Sequence, residues 1–265
     1  MRGVDASGAD PRLAGRRALV TGAGQSIGAA IARLLAAAGC EVHVNDFMPD
    51  RAEAIAAEIV AGGASAMALP FDVTDHKAVE AAISGVDGVD ILVNNAGNGG
   101  VDTFGAIAPF VGTSPADWDP VIAVNLYGVM NCTHAVLPHM TAARWGRIIT
   151  ISSDAARTGG ARYAAYSGAK AGAAGFSRAI AREVARFDIT VNLVSLGTMR
   201  TPMTESLWSD PQAEEMRRSI LSSYLVRRPG EPDDAAWAVL MLASPRAAWI
   251  TGQTIAVNGG SSMTL

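Results

Sequence analysis

Two kinds of segment alternate along the chain. Short apolar runs, partly built from β-branched residues, recur at intervals, and stretches with a 3.6-residue hydrophobic periodicity lie between them. Short strands buried on both faces and alternating with helices are typical of a parallel sheet covered by helices on both sides. The predicted strands are 17–21, 41–46, 65–71, 89–94, 147–152, 189–195 and 253–257, and the predicted helices are 27–38, 51–61, 77–84, 118–141, 163–187 and 232–242. The pattern therefore predicts an α/β fold with a doubly wound, seven-stranded parallel sheet.

The predicted elements occupy nearly the whole chain, and no linker rich in proline or serine divides them. We therefore expect a flexible N-terminal tail over residues 1–14 and a single domain over residues 15–265. A long irregular segment, residues 198–231, follows the sixth strand at the edge of the sheet where such folds bind ligands. Loops of this length are usually functional, which predicts a substrate lid, and a surface excursion is the plainer alternative.

Composition and charge exclude several classes of protein. Of the 265 residues, 49% are hydrophobic and 17% are charged, which excludes a disordered chain. The net charge of −4 argues against nucleic acid as a partner, since phosphate binding favours a basic face. No run of about eighteen residues is free of charges and turn signals, so no membrane span and no membrane partner are predicted.

The two cysteines, Cys40 and Cys132, are too few for a disulfide framework. We expect both to be small buried residues in a reducing compartment. The N-terminus shows no apolar core of a secretory signal, and the expected location is cytoplasmic. The four histidines have no mutual spacing for a metal, so no metal site is predicted.

A glycine-rich turn follows the first predicted strand directly, in the order Thr-Gly-Ala-Gly-Gln-Ser-Ile-Gly over residues 21–28. Glycines at this point let main-chain N–H groups approach a pyrophosphate at the helix N-terminus. Asp46 ends the second predicted strand, where a carboxylate can accept both ribose hydroxyls of an adenosine. These features predict a dinucleotide site of the Rossmann type. The plainer alternatives are a structural turn and a solvated aspartate.

Five further segments follow the turn. They are Asn-Asn-Ala-Gly over 94–97, Asn125, Ser153, Tyr-x-x-x-Lys over 166–170 and Leu-Gly-x-x-x-Thr over 196–201. In this order, the six segments resemble the short-chain dehydrogenase/reductase family from about residue 15 to 260. Two positions depart from the family pattern, since Ser26 replaces a glycine of the turn and Leu196 replaces a proline. Both put the local loop geometry in question, and neither removes a reacting group.

The resemblance implies a catalytic set of Asn125, Ser153, Tyr166 and Lys170. The last two are four residues apart on a predicted helix and are therefore neighbours on one face. A fixed ammonium lowers the pKa of a nearby phenol from about 10, which makes Tyr166 a workable general acid/base. By resemblance, Lys170 also holds the nicotinamide ribose, Ser153 hydrogen-bonds the substrate oxygen, and Asn125 steadies a water in a proton relay.

The implied cofactor is NAD. Asp46 would repel the 2′-phosphate of NADP, and Gln25 and Phe47 occupy the positions where NADP-using relatives keep a basic residue. Arg51 lies too far along the chain to replace them. Besides Tyr166 and Lys170, the resemblance implies these cofactor-binding residues: Gly22, Gly24, Gln25, Ser26, Ile27, Gly28, Asp46, Phe47, Asp72, Val73, Asn94, Ala96, Gly97, Gly197, Met199 and Thr201.

Two residues beside the catalytic set have other interpretations. Tyr163 has Ser167 four residues further on, where an activating lysine would stand, so we expect it to line the substrate pocket or to pack. Asp154 follows Ser153 directly. It either lines the pocket or is solvated at the end of its strand.

The predicted activity is the NAD-dependent interconversion of a secondary alcohol and a ketone. The chain resembles 3-oxoacyl reductase-like and alicyclic hydroxyacyl-CoA dehydrogenase-like members of the family. A CoA thioester is one predicted substrate, because arginines of the lid could meet its phosphates. These are Arg217, Arg218, Arg227 and Arg228. A free cyclic or secondary alcohol suits the apolar residues of this region equally well, namely Leu196, Met199, Met203 and Leu207.

Other functions on the same fold are the alternatives. A non-catalytic nucleotide-binding regulator would not need Ser153, Tyr166 and Lys170 together. A lyase or epimerase of the extended relatives needs a larger C-terminal domain than 265 residues allow. Small residues in helix 163–187 permit close helix–helix approach, and the family uses this helix in dimers. We therefore expect a homotetramer, a dimer of dimers.

Overall fold

The computed structural model describes residues 13–99 and 108–263. Its strands form one seven-stranded parallel sheet with the order β3-β2-β1-β4-β5-β6-β7. The strands are β1 Arg17–Val20, β2 Glu41–Val44, β3 Ser65–Ala68, β4 Ile91–Asn94, β5 Gly146–Ser153, β6 Ile189–Leu196 and β7 Thr254–Val257. All seven predicted strands are therefore confirmed.

Helices connect the strands and cover both faces of the sheet. They are α1 Ser26–Ala37, α2 Pro49–Ala61, α3 His76–Ser84, α4 Pro115–Ile122, α5 Gly128–Ala143, α6 Ala155–Thr158, α7 Ala164–Val184, α8 Glu205–Ser209, α9 Glu214–Ser222 and α10 Pro232–Ala243. The doubly wound, Rossmann-type fold predicted from the alternation is confirmed.

Alternate residues of the central strands pack on opposite sides of the sheet. In β4, Ile91 and Val93 belong to the apolar cluster formed with α1, α2 and α10. Leu92 belongs to the cluster on the other face, formed with α3, α5 and α7. Because both sides are buried, this strand is a continuous apolar run without polar alternation.

The predicted helix over 118–141 is longer than expected and is interrupted. It begins at Pro115, where Ser114 and Asp117 form a capping box. A π-helical turn, Ala123–Tyr127, separates α4 from α5 and contains the fully buried Asn125. Such turns inside helices are frequent at functional sites.

The prediction that residues 198–231 are irregular is wrong. The segment contains α8, α9 and the 3₁₀ turns Pro202–Thr204 and Pro211–Ala213. Both helices are shorter than the window of about 11 residues over which a hydrophobic periodicity predicts a helix.

Most of the predicted tail over 1–14 lies outside the described residues. Leu13 is fully buried in the core cluster, although the prediction placed it in the tail. The packed core therefore begins before residue 15, the predicted start of the domain.

One helical stretch within the described ranges, Pro115–Ala143, is long and apolar enough to cross a membrane by length and composition. The sequence analysis predicted no such stretch. In its most apolar window 39% of the residues are buried inside the molecule, where α5 packs against β4 and α7. Core helices of other proteins meet the same criteria, so the stretch is weak evidence for a membrane span.

Candidate active site

A cleft lies at the carboxyl edge of the sheet, at the point where the strand order reverses. β1 and β4 are neighbours in the sheet although β2 and β3 intervene in the chain. Open α/β sheets bind ligands at such switch points. The cleft has a volume of about 920 Å³ and is lined by the segments that follow β1, β2, β4, β5 and β6. This is the upper range of ligand pockets, large enough for a dinucleotide together with a substrate.

The glycine-rich turn packs tightly on the residues around it. A Cβ on Gly28 would collide with the carbonyl oxygen of Gly22, and a Cβ on Gly24 would lie 2.7 Å from Asp46 Oδ2. Ser26 lines the cleft with φ +53°, a left-handed conformation that glycine adopts without strain. Its Oγ is buried without a hydrogen-bond partner among the described residues. Such a hydroxyl fits a ligand oxygen of the kind that a pyrophosphate supplies.

Asp46 follows β2 and is only 4% exposed, so the alternative of a solvated aspartate is wrong. Its carboxylate accepts hydrogen bonds from the N–H groups of Gly24, at 3.1 Å, and Met48, at 3.0 Å. Arg51 lines the same cleft, and a Cβ on Gly24 would lie 2.6 Å from Arg51 Cβ. α2 thus places Arg51 beside the glycine-rich turn, closer to it than the position of Arg51 along the chain indicated.

Asn95 joins the loop after β4 to the glycine-rich turn. Its Nδ2 donates to the carbonyl oxygens of Thr21, at 2.9 Å, and Gly22, at 3.0 Å. Asn94 has a different environment, since its Nδ2 donates to Thr133 Oγ1 on α5 at 3.3 Å. Asn95, which the sequence analysis did not include in the cofactor set, therefore holds the turn in place.

Ser153, Tyr166 and Lys170 meet in the cleft. Ser153 ends β5, and the other two lie one turn apart on α7. The hydroxyls of Ser153 and Tyr166 are hydrogen-bonded. Lys170 is 4% exposed, and its Nζ donates to the carbonyl oxygen of Ile151 at 2.9 Å and lies 5.9 Å from the centroid of the Tyr166 ring.

Burial is the largest cause of the pKa shifts of Tyr166 and Lys170. It raises the pKa of Tyr166, and the hydrogen bond with Ser153 opposes the rise only in part. It lowers the pKa of Lys170 from 10.5 to about 8. The prediction that Lys170 lowers the pKa of Tyr166 is therefore wrong for this structure, in which the lysine donates to a backbone carbonyl. Tyr166 is a neutral phenol at neutral pH and can donate a proton.

Asn125 is buried beside Gly97 and Lys170. Its Nδ2 donates to the carbonyl oxygens of Asn98, at 2.8 Å, and Val121, at 2.9 Å. Its buried Oδ1 has no partner among the described residues. A Cβ on Gly97 would lie 2.8 Å from this oxygen and 3.3 Å from Lys170 Nζ, so the three groups share one small space.

Asp154 is the centre of a hydrogen-bond network, and its solvated interpretation is wrong. The carboxylate accepts hydrogen bonds from Ser195 Oγ at 2.8 Å, Asn258 Nδ2 at 2.6 Å and Ser262 Oγ at 2.7 Å. Burial by itself raises the pKa of this carboxyl, yet the hydrogen bonds hold it below its ordinary value. The network ties the residue after Ser153 to the segment that follows β7.

Tyr224 joins the later part of segment 198–231 to its beginning. Its side chain is buried, lines the cleft, and accepts a hydrogen bond from the Thr198 N–H at 2.8 Å. Met199 and Gly230 form an isolated parallel bridge that joins the two ends of this segment. The sequence analysis missed Tyr224, since one aromatic residue in a segment without periodicity carries no positional signal.

Most of the predicted site residues line this one cleft. They are Gly22, Gln25, Ser26, Ile27, Gly28, Asp46, Phe47, Asp72, Val73, Ala96, Gly97, Ser153, Tyr166, Lys170, Gly197, Met199 and Thr201. Tyr163 and Leu196 line it as well. Gly24, Asn94 and Asn125 are described residues that stand behind its wall.

The predictions for the cysteines and for the histidines have separate outcomes. Cys40 and Cys132 are free and buried, as predicted, and burial raises the pKa of each thiol to about 12. His76, Glu80 and His134 are exposed neighbours on α3 and α5, with ligand atoms within 4.8 Å of one another. The sequence analysis, which found no mutual spacing among the histidines, missed this group because two different helices bring it together.

The chain is similar to known proteins over nearly its whole length. The family model for enoyl-(acyl carrier protein) reductase matches residues 22–262. A 3-oxoacyl-(acyl-carrier-protein) reductase of Aquifex aeolicus is 39% identical over 254 residues, covering 94% of this chain and 98% of that protein. A hydroxy(phenyl)methylsuccinyl-CoA dehydrogenase subunit of Thauera aromatica is 38% identical over 252 residues, covering 94% of this chain and 97% of the subunit.

Among solved structures, a gluconate 5-dehydrogenase from Burkholderia cenocepacia in complex with NADP and tartrate is similar, with a TM-score of 0.87 and 33% identity. The match covers 96% of this chain and 98% of the dehydrogenase. The chain therefore belongs to the short-chain dehydrogenase/reductase family and is an oxidoreductase that uses a nicotinamide cofactor.

Proposed function

We propose that the protein interconverts a secondary alcohol and a ketone with NAD(H), and that Tyr166 is its general acid/base. The observation that carries this proposal is the meeting of Ser153, Tyr166 and Lys170 in the same cleft as the glycine-rich turn. A nucleotide-binding regulator would need the turn and not the reacting group. That alternative is therefore not favoured.

The nicotinamide ring supplies the hydride chemistry when it is bound. Tyr166 donates its phenolic proton to the substrate carbonyl oxygen during reduction, and it takes the hydroxyl proton during oxidation. Ser153 holds the same oxygen by a hydrogen bond. Because burial raises the pKa of Tyr166, the residue stays protonated at neutral pH, which favours reduction. Oxidation is expected to accelerate as the pH rises.

Lys170 and Asn125 complete the proton path. The pKa of Lys170, about 8, allows this lysine to gain and lose a proton near the working pH. The unpartnered Oδ1 of Asn125 is available to a water beside Lys170 Nζ. We assign to this water the passage of protons between Lys170 and the solvent.

NAD is the proposed cofactor. Asp46 is buried at the end of β2 and would oppose the 2′-phosphate of NADP with like charge, a contact that costs several kcal/mol. Ser26 Oγ suits the pyrophosphate, and Asp72 and Val73 suit the adenine side of the cleft. NADP is the second candidate, because Arg51 lines the cleft beside Gly24.

The proposed substrate is a hydroxyacyl or 3-oxoacyl thioester of CoA. Two relatives of this chain carry names that specify an acyl-carrier-protein substrate and a CoA substrate. A free cyclic alcohol is the second candidate, because the cleft wall near Ser153 includes the apolar side chains of Leu196, Met199 and Met203.

The test compares wild type with Tyr166→Phe in NAD⁺ reduction with secondary alcohols and hydroxyacyl thioesters. Loss of the phenol is expected to lower kcat by about a thousandfold while NADH binding, followed by fluorescence, is retained. Tyr163→Phe is the matched control, since its ring lies 6.1 Å from the Tyr166 ring, and its effect is expected to stay below about tenfold.

Near-wild-type turnover by Tyr166→Phe would overturn the assignment of the acid/base. A wild-type protein that binds NADH and oxidises none of the alcohols or thioesters would favour the regulator.

A further inference from the structure

A basic cup lies on the lid, outside the cleft. Its cavity of about 350 Å³ is lined by Glu214, Arg217, Arg218, Leu221, Ser222 and Arg227. The first five lie on α9, where each is three or four residues from at least one other, and they therefore occupy one face of that helix. Arg227 joins them from the loop that follows the helix.

The arginines of the cup are only partly neutralised. Arg218 forms an ion pair with Glu214 at 2.8 Å. The Nη1 of Arg217 donates to the carbonyl oxygen of Trp208 at 3.0 Å, a neutral acceptor that leaves the guanidinium charge uncompensated. Arg227 has no hydrogen bond or ion pair to any residue in 13–99 or 108–263. Three arginines thus face one carboxylate.

Arg228 is different, although the sequence analysis grouped it with the other three. Its guanidinium forms two hydrogen bonds to Asp234 at the start of α10, of 2.6 Å and 2.8 Å. It does not line the cup. The prediction that all four lid arginines meet phosphate is therefore wrong for Arg228, which already has a bidentate partner.

We propose that the cup binds the 3′-phosphate of a CoA thioester while the acyl group occupies the cleft. This inference rests on the proposed function. An arginine pair without a counter-charge suits a phosphate, because guanidinium groups bind phosphate oxygens bidentately. CoA carries its phosphates far from the thioester, which agrees with a cup on the lid.

The same lid reaches the reaction site. Thr198 and Met199, at its beginning, line the cleft, and Tyr224, between the cup residues of α9 and Arg227, lines it too. A substrate whose phosphate is held in the cup would therefore be attached to the lid. The cup is small and concave, which suits a phosphate better than the extended acidic surface of a carrier protein.

The first experiment compares one hydroxyacyl group as its CoA thioester and as its N-acetylcysteamine thioester, which lacks phosphates. Wild type is expected to favour the CoA thioester in kcat/KM by about tenfold or more, mainly through KM. Arg227→Gln is expected to reduce this preference about fivefold, and Arg217→Gln is expected to reduce it similarly. Arg228→Gln, the matched control, is expected to retain it.

Equal kcat/KM for the two thioesters in wild type would overturn the proposal, and so would a preference that survives both cup substitutions. A carrier-protein thioester that loses more than the CoA thioester in Arg227→Gln would overturn it in favour of a carrier-protein docking site.

The second experiment separates this proposal from the proposed function. Calorimetry measures the binding of CoA and of dephospho-CoA to the wild-type protein with NADH present. Wild type is expected to bind CoA about fivefold more tightly, and Arg227→Gln is expected to bind both equally. If neither thioester turns over, the substrate assignment fails, and this difference in affinity still decides whether the cup binds phosphate. Equal affinities of the wild-type protein for CoA and dephospho-CoA would overturn the proposal that the cup binds phosphate.

Discussion

Lys170 combines burial with a charge at neutral pH. Its Nζ has a neutral carbonyl, that of Ile151, as its hydrogen-bond acceptor, and burial lowers its pKa from 10.5 to about 8. Holding an ammonium there at pH 7 destabilises the folded protein, because the unfolded chain solvates the same charge fully. The position of this lysine is therefore explained by chemistry and not by stability.

We predict that Lys170→Met stabilises the protein and abolishes turnover. The pKa change corresponds to about 3 kcal/mol at pH 7, and loss of the hydrogen bond leaves a net gain of about 2 kcal/mol. Between about pH 8 and 10.5 the unfolded chain keeps a proton that the folded protein has lost, so wild-type stability rises with pH across this window. Urea unfolding should show that the variant exceeds wild type in free energy of unfolding by less at pH 10 than at pH 7. A difference independent of pH would refute this account.

Asp154 is a positioning residue beside Ser153. Three side chains donate hydrogen bonds to its carboxylate within 2.8 Å, so Asp154→Ala leaves several donors without an acceptor. We expect the free energy of unfolding to fall by about 3 kcal/mol, and kcat to fall more than KM changes because Ser153 loses its support.

Asp75→Ala is the control for Asp154→Ala. The Asp75 carboxylate is an exposed cap that accepts from the N–H groups of Lys77 and Ala78 at the start of α3. Its loss is expected to cost about 1 kcal/mol, with kcat unchanged. Equal losses of stability for the two variants, measured by urea unfolding, would contradict the network argument.

At the scale of elements, we propose that the end of β2 and the first turn of α2 together determine the choice between NAD and NADP. Asp46 would oppose the 2′-phosphate of NADP with like charge, and Arg51 lines the same cleft beside Gly24. We expect wild type to favour NAD over NADP in kcat/KM by about a hundredfold, and Asp46→Ser to reverse the preference. In that background Arg51→Ala should remove the gain with NADP. Steady-state kinetics with both cofactors is the measurement, and equal use of the two by wild type would contradict the prediction.

The strands and long helices could be predicted because each has a strong period or a continuous apolar run. α8 and α9 could not be predicted, since helices this short contain too few repeats of a hydrophobic period. Contacts between segments that are distant along the chain could not be predicted from the sequence either. Asn95 on the glycine-rich turn, Arg51 beside Gly24, and Asp154 with Asn258 all depend on how elements pack. The reacting residues were found through their motif, and their pKa directions needed the actual burial.

At the scale of the whole molecule, one edge of the sheet carries large exposed apolar residues. β7 is an edge strand, and α10 packs beside it. Trp237 and Met241, one turn apart on α10, are 56% and 44% exposed, and Trp249 is 99% exposed. Exposed apolar patches at an open strand edge mark protein–protein contacts.

A homotetramer would bury this edge in one interface and the small-residue face of α7 in the other. Gly168 and Gly175 on α7 have open space where a Cβ would stand, which permits another helix to approach closely. We expect light scattering at micromolar concentration to give a tetramer for wild type and a dimer for Trp237→Glu, because a charge in the edge interface would be buried unpaired. Val60→Glu, at a 52% exposed position on α2, should remain a tetramer. A monomeric wild type would contradict the tetramer, and a tetrameric Trp237→Glu would place the interface elsewhere.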